Sequence, residues 1–341
     1  MNLSYRTRRT LLRLGKAAIL LVVAAVLFWL CWIIWVGRYI VYTPSGAKLD
    51  FSLGPIPQGV EAVPPKDAPA VDIYYDEPKL DVAPPVVEKT SIQGYYIDFE
   101  DLKTDISAVK AKLEALPAGT AVMLDVKNIK GYFHYSTTVG TTASKDVDTA
   151  QMDELIRYLS NSDLYAIARV PAFRDWEYGL NHVPSGLPKK GGNGSLWMDD
   201  SNCYWLDPTD EDALDYLLRI TVELRSLGFD EVVYTDFRFP NTDKIVFEGD
   251  KAQAIADAAA TLASACTTDR FCLSFMSASP DFPLPEGNCR VYLQDVAAAD
   301  AQSIAQQVPT EDPKLHVLFM TTVNDTRFND YCVLRPLDSA H

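Results

Sequence analysis

The sequence predicts an α/β fold. It is a (β/α)8 barrel of the TIM type, trimmed in its C-terminal half, set after an N-terminal transmembrane helix and a proline-rich stalk. Three observations predict it. Short apolar, β-favouring runs alternate with amphipathic helical patterns from Ser91 onward, and such alternation implies parallel pairing. Eight candidate strands fall within residues 91–341, a span close to the roughly 250 residues typical of such a barrel. Charged residues then gather where those strands run out, the end at which barrel loops converge on one mouth. An open doubly wound sheet is the runner-up.

In chain order, residues 1–16 form a basic tail carrying Arg6, Arg8, Arg9, Arg13 and Lys16. The uncharged run from Ala17 to Val36 follows, and about 20 apolar residues cross a bilayer as a helix. Trp29, Trp32, Trp35, Tyr39 and Tyr42 crowd its far end like an interfacial aromatic belt. A basic flank stays cytoplasmic, so residues 17–36 read as an uncleaved signal anchor in the cell membrane, with everything after them extracytoplasmic. No small-residue cleavage site is visible. Residues 37–90 are punctuated by Pro44, Pro55, Pro57, Pro64, Pro65, Pro69, Pro78, Pro84 and Pro85. Proline excludes helix interiors and ladder pairing, so this stretch reads as a stalk.

The barrel occupies residues 91–341. Its candidate strands are Ile92–Ile97, Ala121–Val126, Tyr165–Val170, Glu231–Asp236, Phe271–Phe275, Arg290–Leu293, His316–Met320 and Tyr331–Leu334. Its candidate helices are Leu102–Leu116, Thr149–Leu159, Glu211–Leu227, Ala252–Ala265 and Ala298–Gln307. Leu214, Leu217, Leu218, Thr221 and Leu224 give the third an apolar stripe. Thr209 is its expected N-cap and Gly228 its stop. Ser277 to Cys289 is a proline-bearing loop and Thr321 to Asp330 is too short for a helix, hence the trimmed back half.

A formal charge of -15 excludes nucleic acid as a partner. His134, His182, His316 and His341 are the only histidines, and none shares a metal-ligand spacing with another, so neither a metal nor a cofactor is expected. Beyond the anchor the cysteines are Cys203, Cys266, Cys272, Cys289 and Cys332. Disulfides are permitted outside the cell, although the default for each is a small buried hydrophobe.

The chemistry is expected at the strand ends. Asp125 ends strand 2, with Lys127 beyond it. Arg169 lies near the end of strand 3, followed by Asp175. Asp236 ends strand 4, with Arg238 just beyond it. Paired carboxylates at a barrel mouth are what glycoside hydrolysis needs, one to protonate the leaving oxygen and one to attack the sugar or activate water. Asp125 and Asp236 are the candidate pair, with Glu100 and Asp295 in reserve. Asp125 paired structurally with Arg169 is the alternative. Lys127, Arg169, Asp175, Arg238, Trp176 and Trp205 are candidate substrate contacts. Tyr132, Phe133, Tyr135, Phe173, Tyr178, Trp197 and Tyr204 are further aromatics that could stack on sugar faces.

These residues carry a resemblance. Ala121 to Lys127, Leu164 to Val170, Phe173 to Asp175, Trp205 to Pro208 and Leu227 to Pro240 resemble, in order, the bacterial family of "putative glycoside hydrolases". Those proteins are βα-barrels distantly similar to α-amylase-type enzymes. The resemblance covers about Gln93 to Pro240 and implies a glycoside hydrolase; with the anchor read from residues 17–36, the expectation is a membrane-anchored hydrolase of an extracellular or cell-envelope polysaccharide. It departs at strand 4, where the family reads Phe-Asp-Tyr-Val-Arg-Phe-Pro. Aligned without gaps, Thr235 takes the acid position and Asp236 the tyrosine position. Strand side chains alternate in direction, so a barrel that binds glycan, or an envelope protein partner, without cleaving it is the competing expectation.

Overall fold

The computed structural model describes residues 26, 28, 29, 32, 40–43, 46–49, 91–140 and 146–340. The chain divides into two compact units, Met1–Asp81 and Val82–His341. In the first, Val26, Phe28, Trp29 and Trp32 are helical. The rest of the expected anchor, the basic tail and the stalk beyond residue 49 lie outside the described residues. Among the described residues no helix is long and apolar enough to cross a membrane. Ile40–Thr43 pairs antiparallel with Gly46–Leu49, where unpaired stalk was expected. Neither strand contains a proline, so nothing removes a ladder donor there.

The second unit is a closed parallel barrel. Its strands are β1 (Gln93–Tyr96), β2 (Ala121–Asp125), β3 (Tyr165–Pro171), β4 (Glu231–Thr235), β5 (Cys272–Ser277), β6 (Val291–Gln294), β7 (Val317–Met320) and β8 (Cys332–Pro336). They close in sequence order, with β8 against β1. All eight candidate strands are present, and the doubly wound alternative is excluded by closure. The period of two sorts each strand into faces. Val122, Leu124, Val232, Tyr234, Leu273 and Phe275 pack outward against the helices. Ala121, Met123, Ile167, Val233, Tyr292, Leu318 and Leu334 form a separate inner core.

The helices are α1 (Phe99–Thr104), α2 (Ile106–Glu114), α3 (Thr149–Ser160), α4 (Trp176–Asn181), α5 (Glu211–Ser226), α6 (Lys251–Cys266), α7 (Ala301–Ala305) and α8 (Pro313–His316). The first expected helix is split in two at Asp105, whose side chain accepts from Ala108 N and starts α2. Aspartate also caps α3, α4, α5, α6 and α8, so part of the acidity is spent satisfying orphan helix donors. The expected cap Thr209 is displaced by Asp210, which accepts from Ala213 N, while Thr209 bonds Asp207. Gly228 stops α5 with a left-handed φ of 95°, as expected. The back half is trimmed as predicted. β5 and β6 are joined without a helix, α7 is a short turn, and only a 3-10 turn (Thr326–Phe328) separates β7 from β8.

The barrel floor holds a charge the sequence did not flag. Glu231, at the start of β4, is inaccessible and pairs with Arg290 at 2.5 Å. It also accepts from Tyr165, Ser274 and Tyr292 at 2.9, 2.5 and 2.8 Å. Burial is tolerable because every lone pair is used. The five cysteines beyond the anchor are buried thiols, and Cys272 lies within 3.3 Å of Arg290. Arg290→Met leaves Glu231 buried and uncompensated, so it is expected to cost about 3–5 kcal/mol. Urea denaturation checks this, with Glu231→Gln/Arg290→Met recovering much of the loss.

Candidate active site at the barrel mouth

Strand alternation places the mouth residues. Two positions beyond inward Met123, Ile167 and Val233 come Asp125, Arg169 and Thr235, which therefore also face inward. Asp125 and Arg169 are register partners across β2 and β3. Arg169 grips the carboxylate bidentately, Nε to Oδ1 and Nη2 to Oδ2, the latter at 2.6 Å. Burial works against the guanidinium charge, but Asp125, Asp98 and Tyr96 outweigh it and hold Arg169 firmly protonated.

Arg169 lies between two concavities. The first, about 300 Å³, is lined by Phe99, Asp125, Lys127, His134, Arg169 and Thr235 among others. The second, about 440 Å³, is lined by Tyr96, Asp98, Arg169, Gln294, Asp295 and Met320 among others. His134 is buried against Phe99, with ring centroids 4.8 Å apart. Burial pushes its imidazole down to about 4, so it is neutral at physiological pH.

Asp98 belongs to this mouth. It occupies the N-cap position of α1, yet its side chain makes no cap bond. Desolvation and then Asp101 push its carboxyl up from the ordinary value, Arg169 pulls it down and Asp125 adds to the rise. The net direction is upward, so Asp98 holds its proton to higher pH than a free aspartate. Asp98 lies one residue beyond the candidate strand Ile92–Ile97 and is not among the acids chosen from sequence. The signal is spacing, since Tyr96 and Asp98 continue the inward alternation of β1.

The other candidates divide. Lys127 and Asp175 form an ion pair at 2.6 Å with both side chains inaccessible. Asp175 also accepts from Tyr178 N, capping α4, and from the Tyr216 hydroxyl. It is thus fully engaged inside the wall, where it cannot touch substrate, and Lys127 reaches the first concavity only as part of that pair. Gly131, at φ 85°, lets its loop close over Asp175, where a Cβ would sit 2.3 Å from Oδ1.

Asp236 adopts φ 49° directly after β4 and is not among the residues lining the Asp125 concavity. The expected Asp125–Asp236 facing pair is therefore not what lines that concavity; Thr235 takes the place beside Asp125. Asp236 instead sits 3.8 Å from Arg238. Burial pushes its carboxyl up, against the pull of Arg174 and Arg238. Trp205 is buried and donates to Asp199 at 3.0 Å. Arg238 and Arg174 lie 5.0 and 5.9 Å from its ring, so its face supports guanidinium groups. Asp199 also holds Arg174 at 2.6 Å. Burial acts to raise Asp199, but bonds from Trp205, Cys203 N and Arg174 prevail and keep it below its ordinary value.

Trp176 is half-buried at the start of α4. Of the other loop aromatics, Phe133, Tyr135, Phe173 and Tyr178 are buried, leaving Tyr132, Trp197 and Tyr204 partly open. Glu100 is an exposed residue of α1, 3.9 Å from Lys103, and lines neither concavity. Asp295, the other reserve acid, does reach the second. Among the described residues no group of His, Cys, Asp and Glu is placed to hold a metal ion.

The fold and site define a (β/α)8 barrel with an arginine-clamped carboxylate and further acids at its C-terminal mouth. The chain belongs to the family described as "Putative glycosyl hydrolase domain", whose profile matches residues 104–277. That match runs past Pro240, where the sequence resemblance stopped, through α6 to the end of β5. No curated protein sequence matches the chain. Among solved structures it is similar to a hypothetical protein from Ruminiclostridium thermocellum, with 22% identity and TM-score 0.45 over 53% of this chain and 96% of that one. It is also similar to the glycoside hydrolase domain of PgaB from Bordetella bronchiseptica, with 10% identity and TM-score 0.48 over 68% and 84%. A third similarity is to a GH20 exo-β-N-acetylglucosaminidase from Vibrio harveyi, with 8% identity and TM-score 0.49; it covers 73% of this chain but only 50% of that enzyme.

The raised Asp236 carboxyl has a measurable consequence. A folded-state pKa above the unfolded one contributes stability that is complete below the unfolded value and is lost as pH rises through the folded value. Asp236→Asn is therefore expected to gain melting temperature relative to wild type as pH climbs above about 4. Parallel thermal scans across pH check the sign.

Proposed function

We propose that this chain is a single-pass protein of the cell membrane, anchored through residues 17–36, whose barrel hydrolyses an extracellular or cell-envelope polysaccharide. The observation that carries the reading is Asp125 lining one open concavity and held by Arg169, which also lines a second, with the higher-titrating Asp98 within electrostatic reach of both residues. In this reading Asp125 is the nucleophile or base. The bidentate guanidinium fixes the direction in which that carboxylate points. Asp98 is the proton donor. Its proton passes to the glycosidic oxygen as that bond breaks, while Asp125 attacks the anomeric carbon or takes a proton from the attacking water. Asp236, the donor expected from sequence, is the rival for that role, and Arg238 and Trp176 are rim contacts.

A specific observation favours a second reading. Thr235, not an acid, faces the concavity beside Asp125. A barrel that binds glycan, or an envelope partner, without cleaving it needs no second carboxylate there.

A glycan panel separates the readings. Asp125→Asn is expected to lose turnover by about a thousandfold or more while still binding glycan. Asp98→Asn is expected to lower kcat and abolish the limb of the pH profile on which wild-type activity falls as pH rises. If Asp236→Asn does this instead, Asp236 is the donor. Wild type that binds glycan without turnover establishes the second reading. For topology, protease added outside intact cells is expected to digest the barrel. Protection of the barrel, or release of a form lacking residues 17–36, overturns the anchor.

A further inference from the structure

We infer that the second concavity is a separate sugar subsite, so that the ligand is a glycan of at least two residues lying across Arg169, and that this subsite takes uncharged or amino sugars and rejects anionic ones. The inference rests on the reading above, that the mouth handles carbohydrate, and adds the length and charge class of its ligand.

The geometry comes first. Arg169 rises from β3 but lines both concavities. The first is otherwise built from β2, β3, β4, the loop after β2, and Phe99 at the start of α1. The second is built from the ends of β1, β6 and β7. Each is roomy enough for a sugar ring, at about 300 and 440 Å³. Arg169 is their shared wall, and its bidentate grip on Asp125 keeps it in place. A linkage seated above Arg169 therefore has one sugar on each side, and Asp125 and Asp98 stand on opposite sides of it.

The lining suits a sugar. Gln294 and Asp295 are exposed polar groups, able to bond hydroxyls. Buried Met320 and exposed Val323, at 55%, offer apolar surface to a ring face. The loops here are the shortened ones after β6 and β7, so the chamber is not roofed by a long insertion. An internal stretch of chain, rather than only a terminal sugar, has room to pass.

The charge class follows from the balance of groups. Asp98 and Asp295 both act on Tyr96, whose hydroxyl is pushed up by burial and then by these carboxylates. Among the described residues the one cation lining this chamber is Arg169, and it is already committed to Asp125. An anionic sugar would meet the Asp295 carboxylate, and Asp98 once that acid ionises, with no uncommitted guanidinium among the described lining residues, within the roughly 8–10 Å over which such repulsion acts at physiological salt. The overall charge of -15 points the same way.

The test uses the full chain in detergent, titrated with neutral hexose and N-acetylhexosamine oligosaccharides, from monosaccharide to hexasaccharide, and with uronic-acid oligomers of matched length. Gln294→Ala, Asp295→Ala and Val323→Asp alter the second chamber, with melting curves confirming that each is folded. Wild type is expected to bind neutral oligomers more tightly from the disaccharide upward and to bind uronic-acid oligomers at least tenfold more weakly. The variants are expected to lose about tenfold in affinity for oligomers, with monosaccharide binding unchanged. Asp295→Lys is expected to narrow the discrimination against uronic acids. If the variants change oligomer and monosaccharide binding equally, or neither, or if wild type binds uronic acids as well as neutral sugars, the subsite inference is overturned while carbohydrate recognition stands. If wild type binds no member of the panel, carbohydrate recognition itself falls and the inference with it.

Discussion

The buried Glu231–Arg290 pair at the barrel floor is the constraint on which the rest of the structure depends. Glu231 is bonded by side chains from β3, β5 and β6 as well as by Arg290. A slip of β4 by one residue would turn the carboxylate outward into the apolar layer and leave the guanidinium uncompensated. The cost of an unpaired buried charge makes such a slip far less stable than a mere loss of packing. With Glu231 held inward, alternation carries Val233 and Thr235 inward as well. The same register across β2 and β3 sets Asp125 against Arg169. The mouth thus inherits its geometry from the floor.

Three carboxylates near the mouth show how environment divides one residue type. Asp125 is gripped by a guanidinium. Asp98 stands where a helix cap would normally engage it, but makes no cap bond, and its neighbours favour the protonated form. Asp236 is displaced by its left-handed backbone into a cluster with Arg174, Arg238 and Asp199. Asp and Asn tolerate that backbone better than other side chains. The residue following β4 can therefore leave the strand's alternation, and the acid goes with it. The mouth consequently has its clamped carboxylate on β2 and its higher-titrating neighbour just after β1, with threonine at the end of β4.

The two halves of the barrel do different work. The long excursion between β3 and α5 buries Trp205, Lys127 and Asp175. It becomes a wall beside the first concavity, and half of its aromatics, Phe173, Tyr178 and Trp205, are consumed in packing. The short connections after β6 and β7 leave the second concavity open. The trimming that made the back half hard to read as helix and strand is what exposes Gln294, Asp295 and Val323.

Local pattern by itself determined the eight strands, the strand–helix alternation, the stop at Gly228 and the shortened back half, because each follows from periods and breakers a few residues long. Asp125 and Arg169 were also legible, since strand alternation and a shared register decide their facing. Tertiary structure decided the rest. Asp175 looks like a strand-end acid in sequence, but only the fold brings Lys127, Tyr216 and the start of α4 around it. Trp205 looks like a sugar platform until Arg174 and Arg238 occupy its surroundings. Thr209 and Asp210 are equivalent caps by composition, and helix phasing alone selects Asp210. Asp98 and Asp236 differ from other aspartates only through charges and burial supplied by residues distant in sequence. Glu231 was invisible as an interior charge because its partner Arg290 lies two strands further along the barrel. Electrostatic environment is a property of neighbours in space, and neighbours in space are what a single strand's pattern does not contain.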